Sequence, residues 1–239
     1  MEINSLKTLV TLGESTTAGG WSSEPERCWP ELLANMISDF QFEPVKLINS
    51  GIGANVISTR SPSYNYSGKP AADERLQKHV IDHDPDLVII SYGLNDSRGG
   101  TSLEMFREDL MKLISSVKNS CSTLIMLLGP YYMNDFTAGG PVWNNANHDT
   151  LQAFNKLISE VSIDTECMYT DVYNAYGDAS WMVHYDGVHA NDLGHRIIAN
   201  SVFQTLAQNL PSLALKTKNL EQTSKRWRDE SMLQSEYGH

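Results

Sequence analysis

Short apolar segments alternate with longer amphipathic segments along most of this chain, and that alternation limits the folds open to it. The apolar segments predict β-strands at Leu6–Leu12, Val45–Asn49, Leu87–Ser91, Thr123–Leu128 and Cys167–Thr170. Between and after them, apolar residues recur at spacings of three and four, which predicts helices at about 29–40, 71–83, 103–117, 151–161 and 192–208. A strand followed by a helix, repeated in this way, is typical of a parallel sheet covered by helices.

Five strand–helix units predict an α/β three-layer α/β/α sandwich with a five-stranded parallel sheet, because a barrel would need eight units. Three connections exceed the two to six residues usual after a strand: 13–28, 50–70 and 129–149. All three follow strands, so they emerge at the carboxyl edge of the sheet, where open α/β folds bind their ligands. We therefore expect the functional site at that edge.

Composition narrows the class of protein. The chain has 239 residues, with 41% hydrophobic and 20% charged residues, which fits one globular domain. Its 18 basic and 29 acidic residues give a net charge of −11, which disfavours nucleic acid and anionic membranes as partners. Its first residues lack the pattern of a signal peptide, and this predicts a cytoplasmic protein, or a secreted one if a leader has been removed.

The last 29 residues differ in composition from the rest of the chain. Residues 1–210 carry the strand–helix pattern, whereas residues 211–239 form a polar C-terminal tail. We expect this tail to be ordered by packing, with Leu220, Trp227 and Leu233 as its anchors. The packing surface would be the domain itself or a neighbouring chain, and the second case makes a homo-oligomer.

Two remote segments carry residue types suited to nucleophilic catalysis. The first strand leads into Gly13–Gly20, where Ser15 would present its hydroxyl at a turn. Near the other end, His189 is the side chain best matched to accept the serine proton, and Asp186 could orient its ring. Each segment also has a simpler interpretation: the serine loop fits a phosphate-binding or solvated turn, and Asp186 fits a loop-bonding carboxylate beside a surface histidine.

Two further segments supply candidate hydrogen-bond donors. A glycine-rich turn follows the second strand, and Gly93–Asp96 follows the third. If the strand order is 2-1-3-4-5, both emerge beside Ser15. The backbone N–H of Ser15, a backbone N–H from Gly53 or Ala54, and the side-chain amide of Asn95 would then form an oxyanion hole.

Four sequence blocks together resemble the motif blocks of the SGNH hydrolases, the GDSL esterase/lipase family. They are Gly13-Glu14-Ser15, the Asn49–Ala54 turn, Gly93-Leu94-Asn95-Asp96 and Asp186-Gly187-Val188-His189, and the resemblance spans about residues 6–206. It implies a flavodoxin-like fold, with Ser15 as nucleophile, His189 as base, Asp186 as its partner and Asn95 as an oxyanion donor.

The chain departs from the family pattern at two positions. Glu14 stands where the family has aspartate, and because that carboxylate mainly holds loops there, we expect altered local bonding and retained activity. Ala54 stands where counting from Asn49 places the family's donor glycine. An alanine N–H donates as well as a glycine N–H when its φ is negative, so we favour Ala54 and keep Gly53 as the alternative.

The two later long loops bear on the substrate. Aromatic rings and amides in 131–148 suit a sugar, and Tyr131, Trp143 and His148 are the candidate substrate-lining residues, although aromatics in long loops often only pin the loop. No long apolar lining is evident, which favours a short ester such as an O-acetyl group on carbohydrate. A lysophospholipase, thioesterase or arylesterase would use the same catalytic residues, and a flavodoxin-type binding module is the alternative of another class.

No motif indicates a cofactor. Three cysteines without CxxC spacing fit neither a disulfide framework nor a zinc site. His184 and His195 lie near His189, but their spacing matches no metal-ligand motif. We therefore expect neither a metal nor an organic cofactor.

Overall fold

Five parallel strands form the centre of the molecule, in a computed structural model that describes residues 5–224 and 229–237. The strands are β1 (Thr8–Gly13), β2 (Lys46–Gly51), β3 (Leu87–Ser91), β4 (Leu124–Leu128) and β5 (Met168–Thr170). Their order is β2-β1-β3-β4-β5, all parallel, and this confirms the predicted sheet. Because β1 lies between β2 and β3, Gly13 pairs with Gly51 on one side and Ser91 on the other.

Helices cover both faces of the sheet and bury two apolar cores. The helices are α1 (Ser15–Ala18), α2 (Trp29–Phe40), α3 (Ala72–His79), α4 (Leu94–Arg98), α5 (Leu103–Ser120), α6 (His148–Asp164), α7 (Asp192–Asn209), α8 (Leu215–Glu221) and α9 (Ser231–Ser235). Side chains of α2 and α7 pack on one face of the sheet, and those of α3, α5 and α6 on the other. Alternate strand residues enter each core, as the two-residue period of a strand requires.

The sequence pattern and the structure differ in detail. Helix α3 ends at His79, and Ile81–His83 form a separate 3₁₀ turn. The N-cap of α5 is Ser102, whose hydroxyl accepts from the Met105 N–H. Helices α1 and α4 were not predicted, because four or five residues are too few to show a helical period.

The C-terminal tail begins with contacts to the domain, and most of its later described residues are exposed. Leu213 is buried, and the Lys216 ammonium donates to the Asp39 carbonyl at the end of α2. Leu220 and Leu233 are 57% and 52% exposed, so within one chain they do not anchor the tail as expected. The third expected anchor, Trp227, lies outside the described residues.

Residues 5–224 and 229–237 contain neither a membrane-spanning helix nor a metal-binding cluster. In this part of the chain no helix combines the length and apolar character needed to cross a bilayer. Among the same residues, no group of three or more histidine, cysteine, aspartate or glutamate side chains is arranged to hold a metal ion.

Candidate active site

The site begins where β1 ends. Gly13 closes the strand, Glu14 follows, and Ser15 opens α1 with only 3% of its surface exposed. A Cβ on Gly13 would stand 2.2 Å from the Thr17 hydroxyl oxygen, so this position requires glycine. The tight turn directs Ser15 toward the carboxyl edge of the sheet, as expected from its position after a strand.

A continuous line of hydrogen bonds joins Ser15, His189 and Asp186, three residues that the sequence placed in two remote segments. The Ser15 Oγ lies 2.8 Å from His189 Nε2, and His189 Nδ1 lies 2.6 Å from Asp186 Oδ2. The other carboxylate oxygen of Asp186 accepts from the backbone N–H groups of Val188 and His189. These bonds fix the carboxylate, and the carboxylate fixes the ring so that Nε2 faces the serine.

Local electrostatics suit a proton acceptor at His189 and a permanent anion at Asp186. Burial lowers the pKa of His189, against the opposing effect of its hydrogen bond to Asp186, so the ring is neutral at physiological pH. Partial burial acts to raise the pKa of Asp186, but hydrogen bonds from Val188 and His189 outweigh it and lower the pKa to about 2. A neutral imidazole oriented by a carboxylate can take a hydroxyl proton and hold it.

Asn95 and the Gly53–Ala54 turn emerge beside Ser15, as the strand order predicts. The side-chain amide of Asn95 donates to the Asn55 carbonyl at 3.1 Å, which leaves its second N–H for another acceptor. Gly53, Ala54 and Asn95 all line the same cavity as Ser15. Within the described residues, neither Gly53 nor Ala54 finds an acceptor for its backbone N–H.

The backbone at Ala54 contradicts one condition of the sequence argument, which required a negative φ. The observed φ is +53°, a left-handed conformation that costs an L-residue about 1–2 kcal/mol and favours glycine. Counting from Asn49 aligns Ala54 with the family's glycine, and the backbone at Ala54 also adopts the conformation that glycine favours. Rotation about φ moves the chain beyond the nitrogen, so the N–H stays where the preceding peptide plane directs it.

Glu14 ties the Ser15 turn to the start of α4. It is 1% exposed, and its carboxylate accepts from the backbone N–H groups of Gly93 and Asn95 at 3.0–3.2 Å. Burial and the nearby Asp96 carboxylate raise the pKa of Glu14 well above its usual range. The longer side chain thus performs loop-holding bonding of the kind expected for the family's aspartate.

A cavity of about 400 Å³ opens over Ser15, and it contains only one of the three expected substrate-lining residues. Trp143 lies in its wall. Tyr131 does not, because it is 1% exposed and its hydroxyl bonds Thr17 and Ser91 in the interior. His148 also lies elsewhere, bonded to the Tyr173 hydroxyl at the start of α6. The structure therefore places Tyr131 and His148 outside this cavity: Tyr131 turns into the interior soon after β4, and His148 lies beyond the cavity at the start of α6.

Two residues of this cavity were missed by the sequence reasoning. Trp21 stacks on the His189 ring, with centroids 3.4 Å apart and planes 7° from parallel. Arg98, 6% exposed, lies in the cavity wall and donates to the Ala138 carbonyl. The available signals were an aromatic residue in the long loop after Ser15 and a cation three residues after Asn95, one helical turn further.

A second, wider cavity of about 760 Å³ adjoins the first, and Trp21 lines both. Trp181 and Tyr185 stand in its wall with 71% and 96% of their surfaces exposed. The polar side of this cavity includes His184 and Asn191. Aromatic faces beside polar groups suit a ligand that is partly apolar and partly hydroxylated.

His195, the other histidine considered for a metal, is a packing residue. It is 1% exposed, and its Nδ1 accepts from the Trp29 backbone N–H at 3.2 Å. Burial lowers the pKa of His195 to about 4, so the ring stays neutral. It joins α7 to the start of α2.

Comparison with known proteins identifies a family for this chain. Residues 11–197 match the GDSL-like lipase/acylhydrolase family. An arylesterase from Vibrio mimicus is 27% identical over 209 residues, covering 84% of this chain and 89% of the relative.

Two similar solved structures share the fold. A lipase/acylhydrolase from Enterococcus faecalis has a TM-score of 0.68 at 22% identity, over 86% of this chain and 98% of that one. An acetylxylan esterase from Geobacillus stearothermophilus has a TM-score of 0.65 at 19% identity, over 86% of this chain and 96% of that one. With the family match covering more than three quarters of its length, the chain belongs to the GDSL-like lipase/acylhydrolase family and is a carboxylic ester hydrolase.

Proposed function

We propose that this esterase removes short acyl groups, acetyl above all, from hydroxylated substrates of carbohydrate type, through an acyl-enzyme on Ser15. The observation that carries the proposal is the hydrogen-bonded line from Ser15 through His189 to Asp186, with distances of 2.8 and 2.6 Å. Such a line supplies a nucleophile, a base and an orienting anion in reach of one another.

In this mechanism the Ser15 hydroxyl attacks the ester carbonyl while His189 Nε2 takes the hydroxyl proton. The imidazolium that forms is stabilised by Asp186, which remains ionised. Collapse of the tetrahedral intermediate breaks the bond to the alcohol oxygen, and His189 returns the proton to that oxygen. Water then attacks the carbonyl of the acyl-enzyme and gives a proton to His189. Collapse of this second intermediate breaks the bond to Ser15 Oγ, which takes that proton back from His189 as the carboxylic acid leaves.

The negative oxygen of each tetrahedral intermediate needs donors that are already in place. We assign this role to the backbone N–H of Ser15, the backbone N–H of Ala54 and the free amide N–H of Asn95, with Gly53 as the alternative to Ala54. The buried Glu14 carboxylate supports the arrangement, because it accepts a hydrogen bond from the Asn95 backbone N–H and so holds this residue in place. Donors held in this way need not reorganise during reaction.

The preference for a short acyl group follows from the cavity over Ser15. The cavity has a volume of about 400 Å³, and the polar side chains of Arg98, Asn95 and Asp186 interrupt its apolar lining, which favours a short acyl group over a long one. The adjoining cavity, with Trp181 and Tyr185, suits the alcohol part of the ester. Similarity in fold to an acetylxylan esterase favours a sugar there, and similarity to an arylesterase favours an aromatic alcohol as the second candidate.

The experiment compares substrates and variants on one preparation. We expect Ser15→Ala to abolish hydrolysis of 4-nitrophenyl acetate and labelling by a fluorophosphonate while remaining folded. Ser120→Ala, an exposed serine at the end of α5, is the matched control and should label like the parent. Labelling that persists in Ser15→Ala would remove the serine from its role.

Substrate class is decided by rates on acetylated oligosaccharides, phenyl acetate and a chain-length series of aliphatic esters. We expect kcat/KM to be highest for acetylated sugars and to fall with acyl length. A preference for phenyl acetate would establish the arylesterase alternative, and a preference for acyl chains of about eight carbons or more would refute the short-acyl proposal.

A further inference from the structure

Trp21 covers one face of the imidazole that the mechanism uses as its base. The two rings lie 3.4 Å apart at their centroids and are 7° from parallel, which is direct van der Waals contact over the whole imidazole. Only 14% of the His189 side chain remains exposed. Neither the acyl-transfer steps nor the oxyanion donors make use of this indole.

The loop that carries Trp21 is tied to the same helix that follows His189. Gly19, with φ +84°, turns the chain out of α1, and a Cβ there would stand 2.4 Å from the Cys28 Cβ. Ser23 then donates to both carboxylate oxygens of Asp192, from its backbone N–H at 2.8 Å and its hydroxyl at 2.6 Å. Asp192 is the first residue of α7, three positions after His189.

Hydrogen bonds and stacking restrain the imidazole in different directions. The bonds to Ser15 and Asp186 lie in the ring plane and fix which nitrogen faces which partner. They restrain tilting of the ring only weakly, because hydrogen bonds tolerate tens of degrees of misalignment. A parallel indole in contact with the ring face opposes that tilt and keeps water from that face.

We propose that Trp21 is a positioning residue of this esterase, which holds the His189 ring in line between Ser15 and Asp186 and shields it from water. The inference rests on the proposed function, since it assigns His189 as the base. Misplacement of a reacting group by about 1 Å can cost on the order of a hundredfold in rate. Loss of the indole should therefore lower kcat and leave KM nearly unchanged.

Shielding also predicts a change in pH dependence. His189 must be neutral to act as a base, so activity falls as pH drops through its pKa. The charged and titratable groups around it are Asp186 on its own loop, which favours protonation, and Arg98 from α4, His184 and His195, which oppose it. A Trp21 variant keeps all of these groups but lets water reach the imidazolium. Hydration stabilises the charged ring and raises the pKa of His189, so the acid limb of kcat/KM should move to higher pH.

The test uses the full chain with Trp21→Phe, Trp21→Leu and Trp21→Ala, with kcat, KM and the pH profile measured on 4-nitrophenyl acetate. We expect Trp21→Phe to stay within about threefold of the parent kcat, and the other two to lose about tenfold or more with KM within about twofold. Phe42→Ala removes an exposed aromatic side chain that lines neither cavity, and its acid limb should coincide with that of the parent.

The inference is overturned if the acid limb of Trp21→Ala stays in place or moves to lower pH, or if Trp21→Phe is no better than Trp21→Leu. Thermal unfolding of each variant separates a loss of fold from a loss of rate, and Trp21→Leu decides by the same readouts if the alanine variant unfolds. Ser15→Ala, assayed in parallel, separates the two proposals. An active Ser15→Ala variant refutes the proposed function. An inactive Ser15→Ala variant, together with Trp21 variants whose pH profiles match the parent, refutes only this inference.

Discussion

Replacing the buried carboxyl of Asp96 with an amide should stabilise the protein at neutral pH. Asp96 is 0% exposed; its Oδ1 accepts from the Ile57 backbone N–H at 3.1 Å, and its Oδ2 is buried without a hydrogen-bond partner. Burial raises the pKa of Asp96 to about 7, and Glu14 lies close enough for the two charges to interact. The folded state therefore favours the neutral form of Asp96.

The size of the effect follows from the pKa difference between the folded and unfolded states. The pKa of Asp96 in the folded state lies above its unfolded value of 3.8. The contribution of this group to stability is therefore fully present below pH 3.8 and is lost as pH rises through about 7. This difference in pKa corresponds to at most about 4 kcal/mol of unfolding free energy. The amide side chain of Asp96→Asn would resemble the protonated acid and keep the bond from Ile57, but it adds an amide hydrogen without an acceptor, which costs about 1–3 kcal/mol. We expect Asp96→Asn to gain about 1–3 kcal/mol at pH 8.

Urea unfolding followed by circular dichroism at pH 5 and pH 8 measures the change. We expect Asp96→Asn to be more stable than the parent at pH 8 and to depend less on pH. Asp39→Asn, an exposed carboxyl at the end of α2, is the matched control and should stay within about 0.5 kcal/mol of the parent at both values. A variant that is no more stable at pH 8, or that keeps the parent's pH dependence, would refute the electrostatic argument.

Three further predictions concern the oxyanion donors and the tail. Asn95→Ala should raise the barrier by about 3 kcal/mol and lower kcat far more than it raises KM; steady-state kinetics test this, and a pure KM effect would contradict the assignment. Ala54→Gly should relieve the left-handed strain at φ +53° and stabilise the fold by about 0.5–1 kcal/mol in thermal unfolding, and a loss of stability would contradict it. If the tail joins two copies, light scattering should give a dimer mass for the full chain and a monomer mass after deletion of 216–239; an unchanged mass would reject tail-mediated association.

The amino-acid sequence was enough to predict the architecture and the chemical class of the site. Strand and helix periods are local properties, so Leu87–Ser91 and Trp29–Phe40 were predicted with the bounds that the structure shows. The strand order followed from the family resemblance and was needed to bring Ser15, Asn95 and the Gly53–Ala54 turn to one edge. Four motif blocks in order were enough to predict which residues meet there.

The surroundings of those residues could be read only from the folded chain. Trp21 and Tyr131 are both aromatic residues in or beside long loops, yet one covers the His189 ring and the other is buried against Thr17 and Ser91. The direction of a loop side chain depends on contacts with segments far away in sequence, and neither local period nor residue type encodes them. The left-handed φ of Ala54 likewise follows from how its turn packs, not from alanine's own preference.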